Sequence, residues 1–134
     1  MKTSTKARYS LRLMIDIANN EGTGPVPLAE VSRRQGISIK YLEQLAKDLS
    51  RAGCLTGVRG AGGGYRLGRP AAQISAGEVI KAAEGDFLPV ACLTEEEAEC
   101  PLASGCKTAT FWGGLRDAVD SYVYNVSLAD LADI

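Results

Sequence analysis

Residues 25–53, "PVPLAEVSRRQGISIKYLEQLAKDLSRAG", constrain the fold more than any other part of the chain. They read as two short helices with a glycine between them. Pro27 opens the first, because proline suits a first turn whose N–H groups lack intrahelical acceptors. Gly36 closes it, and Ser38 is positioned to N-cap the second. In that second helix Leu42, Leu45 and Leu49 form one stripe for burial. Lys40, Tyr41, Glu43, Gln44 and Lys47 lie off the stripe and are expected to face outward. Two short helices joined by a tight glycine turn are the signature of a helix-turn-helix.

The flanks extend that unit. Over about residues 4–20, Tyr9, Leu13 and Ile17 recur every four residues beside Leu11, Met14, Ile15 and Ala18, which predicts a helix with a broad apolar face. After Gly53, strand-like pieces near 54–59 and 64–68 flank a glycine-rich tip and read as a hairpin. A helix-turn-helix followed by a hairpin is a winged helix. Ser75 and Glu78 match a capping box, opening a short helix with Val79, Ile80 and Ala83 inward. Residues 108–126 carry Phe111, Leu115, Ala118, Val119, Tyr122 and Val126 at helical spacing, a stripe expected to pack on a second subunit. Ser127 is a candidate cap for a last short turn. The expected fold is mostly α with a small β-hairpin: a winged helix-turn-helix over 1–70, a connecting helix and cysteine-rich loop over 71–107, and a long dimerisation helix with a C-terminal turn over 108–134.

The net charge of −1 conceals an asymmetry. Residues 1–69 hold twelve cations against five acids, or +7, whereas residues 70–134 hold three against eleven, or −8. A basic half suits a polyanion. Lys and Arg neutralise phosphates without reading sequence, and a recognition helix adds polar contacts to base edges in the major groove. Tyr41, Glu43 and Gln44 stand where such reading occurs; Gln pairs with adenine and Glu accepts from cytosine. Arg59, at the base of the glycine-rich tip, is placed to enter a minor groove. The competing reading is an interaction module with a solvated basic face. A phosphate-cradling loop is disfavoured, because no Gly-Lys-Ser/Thr follows the glycines. The basic N-terminus has no uninterrupted apolar run before Asp16, which argues against a signal peptide or anchor and for a cytoplasmic protein without a membrane span.

In a reducing compartment clustered cysteines favour metal or redox chemistry over disulfides. Cys92, Cys100 and Cys106 are spaced C-x7-C-x5-C, which matches neither a zinc finger nor the common ferredoxin runs. Soft thiolates in a flexible loop suit an iron–sulfur cluster; the alternative is three free, redox-labile thiols. Cys54 reads as a small buried residue. An enzyme or cluster carrier is disfavoured, since the chain has no histidine and no C-x-x-C.

"GPVPLAEVSRRQGISIKYLEQL", "VRGAGGGYRLGRP" and "ISAGEVIKA", with the cysteine loop in order behind them, resemble the family of the iron–sulfur cluster regulator IscR, which includes NsrR and CymR. The resemblance implies a homodimeric transcription regulator, often a repressor, that binds double-stranded promoter DNA and controls iron–sulfur cluster biogenesis genes. It implies a labile cluster on Cys92, Cys100 and Cys106, [2Fe–2S] in the IscR branch. It also implies that Glu43 makes promoter choice depend on the cluster, with Ser38, Tyr41, Gln44 and Arg59 at DNA-facing positions; at position 40, also taken as DNA-facing, the family pattern has a small hydroxyl residue where this chain has Lys40. One departure stands out: the IscR pattern has a histidine three residues after the last cysteine, where this chain has Ala109. Glu95, Glu96, Glu97 and Glu99 are the candidate oxygen ligands in its place. A regulator responding through thiol oxidation, nitric oxide or a partner enzyme, without a [2Fe–2S] cluster, is the alternative.

Overall fold

Ser4 starts the first helix by capping it: its hydroxyl accepts from the Ala7 amide, the bond an N-cap supplies to an orphan N–H. The computed structural model describes residues 4–85 and 107–132. Helix α1 spans Thr5–Asn20 and is followed by a 3-10 turn, Glu21–Thr23. Helix α2 (Leu28–Gln35) begins after Pro27, and Gly36, in the left-handed region at φ 69°, ends it. Helix α3 (Ile39–Arg51) is capped by Ser38, whose Oγ accepts from the Tyr41 amide at 3.2 Å. Strands β1 (Leu55–Val58) and β2 (Gly64–Leu67) pair antiparallel, with Leu55 opposite Leu67 and Val58 opposite Gly64. A second 3-10 turn (Ala71–Gln73) leads into α4 (Ala76–Glu84), and α5 (Ala109–Tyr124) and α6 (Leu128–Leu131) complete the described chain. The expected winged helix-turn-helix is thus present: helices with one two-stranded wing.

One core unites these elements. Leu13, Met14 and Ile17 of α1 meet Val31 of α2, Leu42, Leu45 and Leu49 of α3, Leu55 of the wing, Ile74, Val79 of α4 and Leu128 of α6. Each such side chain contributes about 1.5–3 kcal/mol by leaving water. Ile80 departs from its expected inward place and is only half buried, because the inward face of α4 follows Ala76, Val79 and Ala83.

The wing is fastened by backbone. Val26 and Tyr65 exchange two N–H···O bonds of 2.9 Å, so the segment before α2 lies against β2 as a third extended stretch. The approach is close enough that a Cβ on Gly64 would fall 2.5 Å from the Val26 carbonyl oxygen, and φ there is 155°; only glycine fits. Glu21 closes the other end by accepting from the Leu67 amide at 2.8 Å.

The C-terminal helices attach at one end. The Ala76 amide donates to the Val126 carbonyl and the Leu128 amide to that of Ile74, at 2.8 and 2.9 Å. The Tyr124 ring seats on Gly77, where a Cβ would come within 2.7 Å of it. Helix α5 itself buries no residue, and Phe111 and Tyr122 are 64% and 71% exposed. Their spacing with Leu115 and Ala118, steps of four, three and four, puts all four on one face.

Candidate nucleic-acid interface

The outward side of α3 carries the candidate readers. Leu42, Leu45, Ala46 and Leu49 turn one face of the helix into the core, which leaves Lys40, Glu43, Gln44, Lys47 and Arg51 exposed in a continuous polar stripe. Ser38 is exposed at the head of the helix and spends its hydroxyl on the cap. Arg59 is exposed in the loop of residues 59–63 that joins β1 to β2. The structure therefore gathers Ser38, Lys40, Glu43 and Gln44 along one helix and sets Arg59 on the wing.

Tyr41 departs from the outward position expected for it. It is half buried and packs on the core, its ring meeting that of Tyr9 edge to face. The clamp continues backward. The guanidinium of Arg12 lies 5.2 Å from the centre of the Tyr9 ring, and its Nε donates to Gln35 Oε1 at 3.1 Å. Gln35 Nε2 donates to Asp16 Oδ2 at 3.0 Å. Asp16 is a buried carboxylate in α1, held by the Arg34 guanidinium through Nε at 3.0 Å and Nη2 at 2.7 Å. Burial alone raises the Asp16 carboxyl, but the hydrogen bonds of Arg34 and Gln35 and the charge of Arg34 outweigh it, so the group lies below its ordinary value. Arg34 is correspondingly raised, first by its hydrogen bond to Asp16. Sequence reasoning placed Tyr9 only on the apolar face of α1 and missed the clamp of Arg12, Asp16 and Gln35; an acid inside that face, Asp16 between Ile15 and Ile17, is the one signal of a paired buried charge.

Arg12 aside, which Gln35 holds, the cations of residues 4–69 divide into two groups. Lys6 pairs with Asp48 at 3.0 Å, Arg34 with Asp16 and Glu30, and Arg69 with Glu78 at 3.0 Å. Arg8, Arg33, Lys40, Lys47, Arg51, Arg59 and Arg66 are exposed and make no ion pair among the described residues. The acids of this half are almost all engaged: Asp16, Glu30 and Asp48 in those pairs, and Glu21 on the Leu67 amide. Glu43 is the exception, the one carboxylate of residues 4–69 without a partner among the described residues. A surface with many uncompensated cations and one uncompensated anion on α3 fits a polyanion whose base edges are also inspected. Spacing could have located this exposed stripe: Lys40, Gln44, Lys47 and Arg51 recur at steps of four, three and four.

The cluster chemistry expected of Cys92, Cys100 and Cys106, with Glu95, Glu96, Glu97 and Glu99, lies outside the described residues. Among those described, no group of three His, Cys, Asp or Glu could hold a metal ion. Cys54 is a buried thiol, pushed up by burial and further by the charge of Glu78, and so a poor nucleophile and ligand. Ala109 is the first residue of α5 and offers no donor atom. No helix among the described residues is long and apolar enough to cross a membrane.

The family model Rrf2, described as an iron-dependent transcriptional regulator, matches residues 3–134. The chain is 41% identical over 133 residues to the HTH-type transcriptional regulator IscR of Cronobacter sakazakii, covering 99% of this chain and 81% of that protein. Among solved structures, CymR of B. subtilis, the global cysteine regulator, superposes with a TM-score of 0.81 at 39% identity, covering 98% of this chain and 96% of the other. IscR of T. potens superposes with a TM-score of 0.78 at 34% identity, covering 98% and 85%.

Proposed function

The chain belongs to the Rrf2 family of transcriptional regulators, whose named members are regulators and not enzymes, and from that premise we propose that it is a cytoplasmic homodimer that binds promoter DNA and senses iron–sulfur cluster status. The observation that carries the DNA reading is Glu43, unpaired among the described residues on the exposed stripe of α3, in a basic half with seven exposed cations that likewise make no ion pair among those residues. Ser38, Lys40, Gln44 and Arg59 serve as further contacts, and Tyr41 adds its hydroxyl edge. The exposed face of α5 holds the second subunit, which brings two recognition helices to a pseudo-palindromic site. The division into a DNA-binding unit over 1–70, a sensing segment over 71–107 and a dimerisation unit over 108–134 is part of the same reading.

Cys92, Cys100 and Cys106 would hold the cluster, most simply [2Fe–2S], because three thiolates suit iron and the described residues offer no competing set. When bound, it would supply an oxidant- and iron-sensitive group whose loss changes the charge carried between α4 and α5. The chain's own contribution is the fourth donor. Since the sequence has no histidine and has alanine at 109, one of Glu95, Glu96, Glu97 and Glu99 would supply an oxygen to that group. Control of cluster biogenesis genes, by repression, follows from the likeness to IscR.

Purification without air followed by absorbance and Mössbauer spectroscopy tests the cluster. A visible spectrum lost in a Cys92→Ser variant and shifted in one Glu→Ala variant is expected; unchanged spectra in all four Glu→Ala variants refute the carboxylate ligand. A second reading draws on the likeness to CymR, which includes an oxidised S. aureus form at 40% identity and a TM-score of 0.75. In it the same cysteines respond by oxidation. A protein colourless after anaerobic incubation with iron and sulfide supports that reading instead.

A further inference from the structure

We infer that Ile39 is a specificity-determining residue that reads the methyl group of a thymine in the major groove; the inference rests on the DNA-binding reading of α3. Ile39 is the first residue of α3, directly after the Ser38 cap. It is 44% exposed and takes no part in the core, whereas the four inward residues of the same helix are at most 1% exposed. Of the six large apolar side chains exposed on the described surface, four lie on α5 and α6, away from the charged stripe. Val58 lies on the wing. Ile39 alone is set into the reading helix, one turn before Glu43 and beside Lys40.

That position matters chemically. The first residues of a recognition helix are those that reach base edges. A major groove presents donors and acceptors, and the one apolar group that distinguishes a base pair there is the thymine C5-methyl. Phosphates give an isoleucine nothing to bind. A β-branched side chain on a helix is close to one rotamer, so ordering it against a methyl group costs little entropy. Lys40 and Glu43 then bracket a single base step with one cation, one anion and one apolar surface, so Ile39 favours T·A over the other pairs at that step.

The test removes the methyl from either side. The full chain first selects bound sequences from a random duplex pool. Each thymine of the selected site is then replaced singly by uracil, which deletes one methyl and keeps the Watson–Crick edge, and affinities are measured for wild type, Ile39→Ala and Ile39→Val. One position per half-site should weaken wild type about fourfold on substitution, the worth of burying one methyl. Ile39→Ala should bind the thymine site weaker by a similar factor and show no further loss at that uracil, and Ile39→Val should keep most of the discrimination. No thymine whose replacement matters, or the same uracil penalty in Ile39→Ala as in wild type, overturns the assignment. Failure of wild type to enrich any sequence instead overturns the DNA-binding reading beneath it, so the two failures are distinguishable. Circular dichroism melts of each variant identify any loss that comes from unfolding, and should Ile39→Ala unfold, Ile39→Thr, which keeps the β-branched shape and replaces a methyl by a hydroxyl, takes its place: it should lose the uracil penalty, and retaining it overturns the assignment.

Discussion

The ring of Tyr9 in α1 meets the ring of Tyr41 in α3 edge to face, with centroids 5.9 Å apart and planes at 87°. Helix α3 is thus steadied from α1, and Arg12 over Tyr9 ties the pair to Gln35 at the end of α2. In a double-mutant cycle of Tyr9→Leu and Tyr41→Leu, urea unfolding should return a coupling of about 1 kcal/mol, the usual worth of such a ring pair. A coupling near zero means that the rings merely fill space.

Asp16 gives acid sensitivity to the junction of α1 and α2. Its carboxyl is lower in the folded protein than its ordinary value of 3.8, so the native state binds fewer protons than the unfolded one. Its stabilisation is complete above 3.8 and is lost as pH falls through the lower, folded value. Asp16→Asn keeps the shape and removes the charge opposite Arg34, and should cost roughly 2–3 kcal/mol at neutral pH, because Asp16 is buried. Denaturation curves between neutral and acid pH should show the gap between variant and wild type closing at the acid end; a constant gap refutes the ionic account.

Lys47 and Arg51 stand on the exposed stripe without ion-pair partners among the described residues. As phosphate contacts, each should weaken binding to every duplex alike when changed to Ala. The slope of log affinity against log salt should fall by about one per contact per subunit. Glu43→Ala should instead change the preferred sequence and leave that slope almost unaltered. If Lys47→Ala alters preference and not slope, the division of labour along α3 is wrong.

Gly64 is where the wing touches the segment before α2. Gly64→Ala would drive a Cβ to 2.4 Å from the Val26 carbonyl carbon, and should destabilise by about 2–3 kcal/mol or detach the wing. Gly22→Ala, with nothing within 4 Å of the added carbon, should stay within about 0.5 kcal/mol of wild type. Equal melting temperatures for the two variants refute the close contact.

Phe111 and Tyr122 share the exposed face of α5. Changing both to Glu should raise the dimer dissociation constant by at least about a hundredfold in sedimentation equilibrium, since charge at the centre of an apolar interface leaves both partners desolvated and unpaired. Dimers of unchanged affinity assign the subunit contact to another surface.

Local rules carried most of the fold. Gly36, Ser38 and Ser75 are caps whose effect reaches one turn, and Leu42, Leu45 and Leu49 differ in environment from their neighbours by helical period alone, so their places were legible in the order of residues. Tyr41 was not, because two half-turns of the same helix are equivalent until α1 covers one of them. The seven free cations could not be told from Lys6, Arg34 and Arg69 for a similar reason. Their partners Asp48, Asp16 and Glu78 lie nine to 42 positions away in sequence.

The sequence by itself determined the elements, the family likeness and the basic character of the first half, all of which follow from periodicity, capping and composition. Only the tertiary structure decided which charges are spent and which remain. Folding pairs Asp16, Glu21 and Asp48 with groups distant in the chain, sets Glu30 one turn from Arg34, and leaves Glu43 and Ile39 facing outward. Pairing depends on distance in space, and a one-dimensional pattern carries no such distance.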